Sequence, residues 1–107
     1  MNGRAKRYES SGPFFRKLLK DPEVRFHYEQ ERARTKIALA VREARRRAHL
    51  TQAALARKIG STQSVIARLE SGSDTRTPTL PLLAHIAAAC KGRLELGFRF
   101  KPAAKAA

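Results

Sequence analysis

Thr62, Gln63, Ser64, Ala67 and Arg68 cluster in one short segment of this chain. Their hydroxyl, amide and guanidinium groups are the kinds that hydrogen-bond base edges and phosphate oxygens, and an alanine methyl can meet a thymine methyl. Val65, Ile66 and Leu69 lie between them at a spacing that turns inward and leaves the polar set facing out. Gln52 begins a preceding segment in which Leu55, Ala56 and Ile59 complete the same apolar face. Ala56 is small enough to stand where two helices cross. Gly60 falls between the segments, where a tight turn needs a positive φ that few other residues tolerate.

The elements that must position these groups are two short helices. The spacing predicts one over Gln52 to Ile59, capped by Thr51, and a second from Thr62 to about Ser71, capped by Ser61. Two helices joined in this way form a helix-turn-helix, whose second helix lies in the DNA major groove. An ordinary helical hairpin would show the same apolar spacing, but not Gln52 and Gln63 at the two helix starts. The stretch LTQAALARKIGSTQSVIARLESG resembles the Xre/Cro-like family of phage repressors and bacterial regulators, with Thr51, Gln52, Leu55, Ala56, Gly60, Thr62, Gln63, Ser64, Ile66, Glu70 and Gly72 in register. The resemblance implies that Gln52 touches the DNA backbone and that Gln63, Ser64 and Arg68 reach bases or flanking phosphates. Ser61, Thr62 and Ala67 belong to the same expected surface. It also implies that Glu70 pairs with an arginine of the preceding core helix, which by position is Arg45. The alternative is a solvent-exposed Glu70 that tempers the local charge. His49 departs from the family pattern, standing where a left-handed Gly or Asn usually ends a helix.

Composition points the same way. The 107 residues include 23 Lys and Arg against 9 Asp and Glu, a formal net charge of +14. Such an excess implies a polyanionic partner, either nucleic acid or an anionic membrane. Residues 1–35 hold nine basic and five acidic groups, and residues 36–107 hold fourteen and four, so the helix-turn-helix half carries most of the field. No apolar run approaches the ~20 residues of a membrane span, and the N-terminus lacks the apolar region of a signal peptide. The single cysteine, Cys90, excludes an intrachain disulfide and suits a reducing cytoplasm. It stands in an apolar run, as a buried and inert thiol would. His27, His49 and His85 are scattered, without partners at metal-ligand spacing. With no phosphate loop, nucleophile elbow or paired carboxylates, the expectation is double-stranded DNA as partner, no metal, no cofactor and no enzymatic activity.

The remaining elements complete a mainly all-α reading, with five helices in residues 21–92 and the helix-turn-helix at 51–71. Residues 1–20 are expected to be a mobile basic arm that ends in the apolar cluster Phe14, Phe15, Leu18 and Leu19. Asp21-Pro22-Glu23 is a helix start, opening a helix with Val24 and Tyr28 on one face to about Glu31. A second helix, or its continuation, runs from about Lys36 to Ala48 with the stripe Ile37, Ala40, Val41, Ala44 and Ala48. Thr79 caps a last helix through about Cys90, with Leu80, Leu83, Ile86 and Ala87 inward, His85 in its wall and Gly92 at its end. In residues 93–100, RLELGFRF, Leu94, Leu96, Phe98 and Phe100 alternate with other residues at strand periodicity. A lone strand leaves its edge bare. Two copies paired across a two-fold axis would cover it. Augmentation onto another protein's sheet and a tail packed on its own core are the alternatives. Residues 101–107 read as a flexible tail. A dimer would also set two recognition helices ~34 Å apart on a palindromic operator.

The arrangement as a whole resembles HigA-type antitoxins, from FFRKLLKDPEVRFHYEQERARTKIALAVREARRRAHLTQ through the motif to RLELGFRF. That resemblance implies a dimer that neutralises a ribonuclease toxin of the HigB/RelE-like kind and represses their shared operon. The segment before Lys36 would then hold the toxin contact, with Phe14, Phe15, Leu18, Leu19 and Tyr28 as anchors. This segment is itself net positive, so its union with a basic toxin would be mainly apolar or would use Glu23, Glu29 and Glu31 as a local acidic face. Two other readings stand beside it. One is a free-standing Xre-type repressor with no toxin partner. The other is a bridging subunit that recruits transcription machinery or a protease.

Overall fold

A computed structural model describes residues 12–73 and 76–102. Among the described residues are five helices and no strand: α1 Pro13–Leu18, α2 Pro22–Arg47, α3 Gln52–Lys58, α4 Gln63–Ser71 and α5 Leu80–Ala89. Of the arm expected over residues 1–20, residues 1–11 lie outside the described residues, and Pro13–Leu18 is helical where a mobile arm was expected; of the expected tail, residues 103–107 lie outside them.

α2 is one continuous helix of 26 residues, about 39 Å long at 1.5 Å per residue. Asp21 starts it, its Oδ1 accepting from the Glu23 amide at 2.9 Å and more weakly from Val24 at 3.5 Å. Proline follows where its missing N–H costs nothing. No helix breaker stands between Glu31 and Lys36, and Glu31–Arg34 and Glu29–Arg32 add i,i+3 ion pairs. Only its second half is anchored, through Ala38 and Val41, and every residue from Lys20 to Ala33 is exposed. α1 folds back on this free half, where the Phe15 and Tyr28 rings meet edge-on at 5.4 Å.

The core is small. Val41 of α2, Leu55 and Ala56 of α3, Ile66 of α4 and Ile86 of α5 are buried, with Ile37, Leu50, Ile59, Leu69, Leu82 and Leu83 packed around them. Cys90 packs there too, and burial pushes its thiol above the ordinary value despite the nearby charges of Arg45 and Lys58. The expected stripe of α2 is shifted. Ala40 is exposed and Ala38 is buried, because α4 ends against this side of α2 and brings Gly72 near the Ala38 methyl. In α5, Leu80 and His85 are exposed, not inward; Leu82, on the other side of the first turn from Leu80, packs against the core with Leu83.

Three helices end alike. The amides of His49 and Leu50 close α2 onto the Arg46 and Arg45 carbonyls, those of Gly60 and Ser61 close α3, and those of Lys91 and Gly92 close α5. This is the Schellman arrangement, which requires a left-handed residue after the cap. Gly60 supplies it at φ 68°, but His49 and Lys91 adopt it at 58° and 62°. Gly92, expected to end α5, is one residue too late to take the positive φ.

Residues 93–100 form no strand. Leu94 is half-buried in a groove lined by Ile37, Ala40, Leu83 and Ala87 between α2 and α5, while Leu96, Phe98 and Phe100 are more than three-quarters exposed. A ladder needs a neighbouring strand, and the described chain offers none.

A side chain in the left-handed region costs about 1–2 kcal/mol, which glycine avoids. His49→Gly and Lys91→Gly should therefore each raise stability by about 1 kcal/mol, seen as a higher urea midpoint at unchanged slope. A lower midpoint at either site would mean that its side chain makes contacts that outweigh the strain.

Candidate nucleic-acid interface

The turn between α3 and α4 decides which side chains face outward. Ser61 donates its amide to the Ala56 carbonyl at 2.8 Å, so it belongs to the closure of α3 and cannot begin the next helix. The cap expected at Ser61 falls on Thr62, whose Oγ1 accepts from the Val65 amide at 3.3 Å. Thr62 keeps its O–H as a donor. Gln63 and Ser64 then occupy the exposed first turn of α4, at the positive end of the helix dipole. Arg68 is exposed one turn later and Ala67 is half-buried beside it. The opposite face of α4 holds Ile66 wholly inside.

One carboxylate ties this helix to the two before it. Glu70 is buried, and Arg45 grips it with both edges of the fork: Nε donates to Oε2 at 2.6 Å and Nη2 to Oε1 at 2.9 Å. The third arm of Arg45 donates to the Leu50 carbonyl at 2.9 Å. The Gln52 amide donates to Glu70 Oε1 at 3.1 Å, and Arg42 donates to the Glu70 backbone carbonyl at 3.0 Å. Burial alone would push the Glu70 carboxyl up. The hydrogen bonds from Arg45 and Gln52 and the charges of Arg45 and Arg42 outweigh it, holding the group below the usual glutamate range. The same hydrogen bond to Glu70, set against a smaller burial penalty, raises Arg45 above its ordinary value.

Gln52, expected to face a phosphate, is thus half-buried and committed to Glu70 through one of its donors. An amide carries a second N–H, so this bond aims the side chain without exhausting it. Arg42 was not singled out from sequence, and its place one turn before Arg45 was the available signal. Arg34 and Arg76 were likewise missed; with Arg68 they line a groove beside α4 together with Thr77 and Thr79.

The remaining expected site residues lie elsewhere. Phe14 and Leu18 are exposed on α1, Tyr28 is exposed on α2, and Phe15 and Leu19 are half-buried, Phe15 against Tyr28. Phe26, not anticipated, is also exposed. Among the described residues no group of three or more His, Cys, Asp or Glu could hold a metal ion, and no helix is long and apolar enough to cross a membrane.

A family model described as helix-turn-helix matches residues 41–96, just over half of the chain. No curated protein and no solved structure matches it significantly.

Removing one partner of a buried pair strands the other. Glu70→Gln should cost about 3 kcal/mol at neutral pH, measured by chemical denaturation. Because the folded Glu70 value is depressed, its contribution is complete above the unfolded value and fades as pH falls through the folded one. The stability gap between wild type and variant should be flat above about pH 5 and narrow below about pH 4. A gap that did not narrow in acid would refute the charge pairing as its source.

Proposed function

The chain belongs to the Xre/Cro-like helix-turn-helix family, that of DNA-binding transcriptional regulators, and on that premise we propose that it represses its own operon as a homodimer and neutralises a ribonuclease toxin encoded beside it. The observation that carries the DNA half of this reading is the outward row Gln63, Ser64 and Arg68 on a helix locked in place by buried Glu70. Gln63 and Arg68 read base edges, Ser64 and Thr62 donate to backbone phosphates, and Gln52, braced by Glu70, directs its second N–H to another phosphate. Dimerisation uses Leu96, Phe98 and Phe100, whose exposure is hard to reconcile with a lone chain in water. Two copies pairing their 93–100 segments would supply the missing ladder and bury these rings. Cytoplasmic localisation follows from this role.

The toxin half rests on the α1–α2 hairpin. Phe14, Leu18, Phe26 and Tyr28 are exposed on an element that the core does not support, as anchors for a protein partner would be. The contact between Phe15 and Tyr28 favours the second reading, a free-standing repressor. In that case part of the aromatic cluster serves only to hold α1 on α2.

Gln63→Ala or Arg68→Ala should cost about 1–3 kcal/mol of operator binding and relax the preference at one base pair, measured by titration against operator and single-base variants. Unchanged preference in both would rule out base reading by this face of α4. Neutralising roughly 6 to 10 phosphates also predicts a loss of ~10³ to 10⁵ in affinity between about 50 and 200 mM salt. For the partner half, the chain is co-expressed with its neighbouring reading frame and run on size exclusion. A complex lost on Phe14→Glu and Phe26→Glu supports the antitoxin reading. A dimer that elutes alone and still binds its promoter identifies the free-standing repressor.

A further inference from the structure

The ends of α2, α3 and α5 meet around one cleft of about 760 Å³. Its floor is apolar, formed largely by Ala48, Leu50, Ala89 and Cys90. Its rim carries Arg47, His49, Lys58, Lys91 and Arg93, all exposed, and no carboxylate lines it. Basic side chains at a single helix C-terminus are an ordinary complement to its dipole. Here they ring a concave apolar surface, which dipole compensation does not require. No residue of α4 or of the turn before it contributes to the cleft.

The floor and the rim together narrow the occupant. A DNA duplex presents charged phosphates and sugars along its backbone, which match the rim but leave the apolar floor unused. A peptide that alternates carboxylates with aliphatic side chains satisfies both. We infer that this cleft docks an acidic amphipathic segment of a protein partner, with apolar side chains on the floor around Leu50 and Ala89 and carboxylates at Lys58, Lys91 and Arg93. Arg93 meets Glu95 at 3.3 Å in a pair exposed on both sides. Such a pair contributes little, so an incoming carboxylate displaces it readily. α4 lies outside the cleft, so an occupant there leaves the row Gln63, Ser64 and Arg68 uncovered.

The probe is a fluorescein-labelled peptide of repeating Glu-Leu, titrated into the full chain by anisotropy and mapped by amide chemical shifts. Shifts confined to residues 47–50, 87–93 and Lys58 with its immediate neighbours are expected. The triple variant Lys58→Glu, Lys91→Gly, Arg93→Glu should bind the peptide about tenfold more weakly, three rim contacts of ordinary surface strength being lost. A control with the same charge change on α1 and the turn after it, Arg16→Glu, Lys17→Gln, Lys20→Glu, should bind it like wild type. An oligo-glutamate of equal charge should also bind more weakly than Glu-Leu. Equal binding of oligo-glutamate, with shifts spread over the surface, would reduce the cleft to general charge attraction and overturn the proposal. Loss of random-sequence duplex binding in the triple variant, with the peptide unaffected, would make the cleft a nucleic-acid surface instead. Circular dichroism verifies the fold of each variant, and the shift map on wild type depends on no substitution.

Discussion

A buried glutamate near the C-terminal end of a helix is at odds with the negative pole of that helix. Glu70 stands there, one residue before the end of α4, and its burial is tolerable only because other elements converge on it. Arg45 supplies a two-pronged countercharge, Gln52 a third hydrogen bond, and Arg42 satisfies a backbone carbonyl that the helix end would leave unpaired. The arrangement defines relative positions more than it adds net stability. If α4 rotated or slid, the carboxylate would lose its fork and remain inside as an uncompensated charge. The outward direction of Gln63, Ser64 and Arg68 is therefore set on the far side of the same helix, by a group that touches no ligand.

This bracing matters because the apolar core is small. Among the described residues one cluster of five buried side chains joins four helices, and a core of this size leaves a marginal domain. The polar network does what a larger core would otherwise do for register. It also concentrates rigidity at the centre, around the helix-turn-helix. Away from it the described chain is held by less: α1 meets the exposed first half of α2 through Phe15 and Tyr28, and the segment after Leu94 runs out with its apolar side chains in water. These loosely held parts carry most of the large exposed apolar groups. A face that reads a fixed lattice of phosphates and bases needs positions held to fractions of an ångström, whereas surfaces that meet proteins can be ordered by the partner.

The basic charge has more than one destination as well. Some of it is internal, spent on Glu70. Some lies along α4 and the groove that Arg34, Arg68 and Arg76 share, and some rings the cleft where α2, α3 and α5 end. Net charge alone identifies a polyanionic partner but cannot say which cations face it. That division depends on where helices end in space.

Much of this protein was legible in the order of its residues. Leu55, Ala56 and Ile66 at helical spacing, Gly60 in the turn, and Asp21, Thr51 and Thr79 as caps are local signals, set within a few residues by sterics and hydrogen bonding. The Arg45–Glu70 pair was reached through resemblance alone, since residues 25 positions apart carry no local sign of contact. Tertiary structure decided the rest. Whether Ser61 or Thr62 caps α4 depended on which amide the closure of α3 consumed. Ala38 is inside and Ala40 outside because the end of α4 packs on one flank of α2. Gln52 turned to Glu70 because the fold placed a buried carboxylate within its reach. The alternation of Leu94, Leu96, Phe98 and Phe100 is a strand pattern without a strand, because a ladder is a relation between two segments and the described chain holds only one.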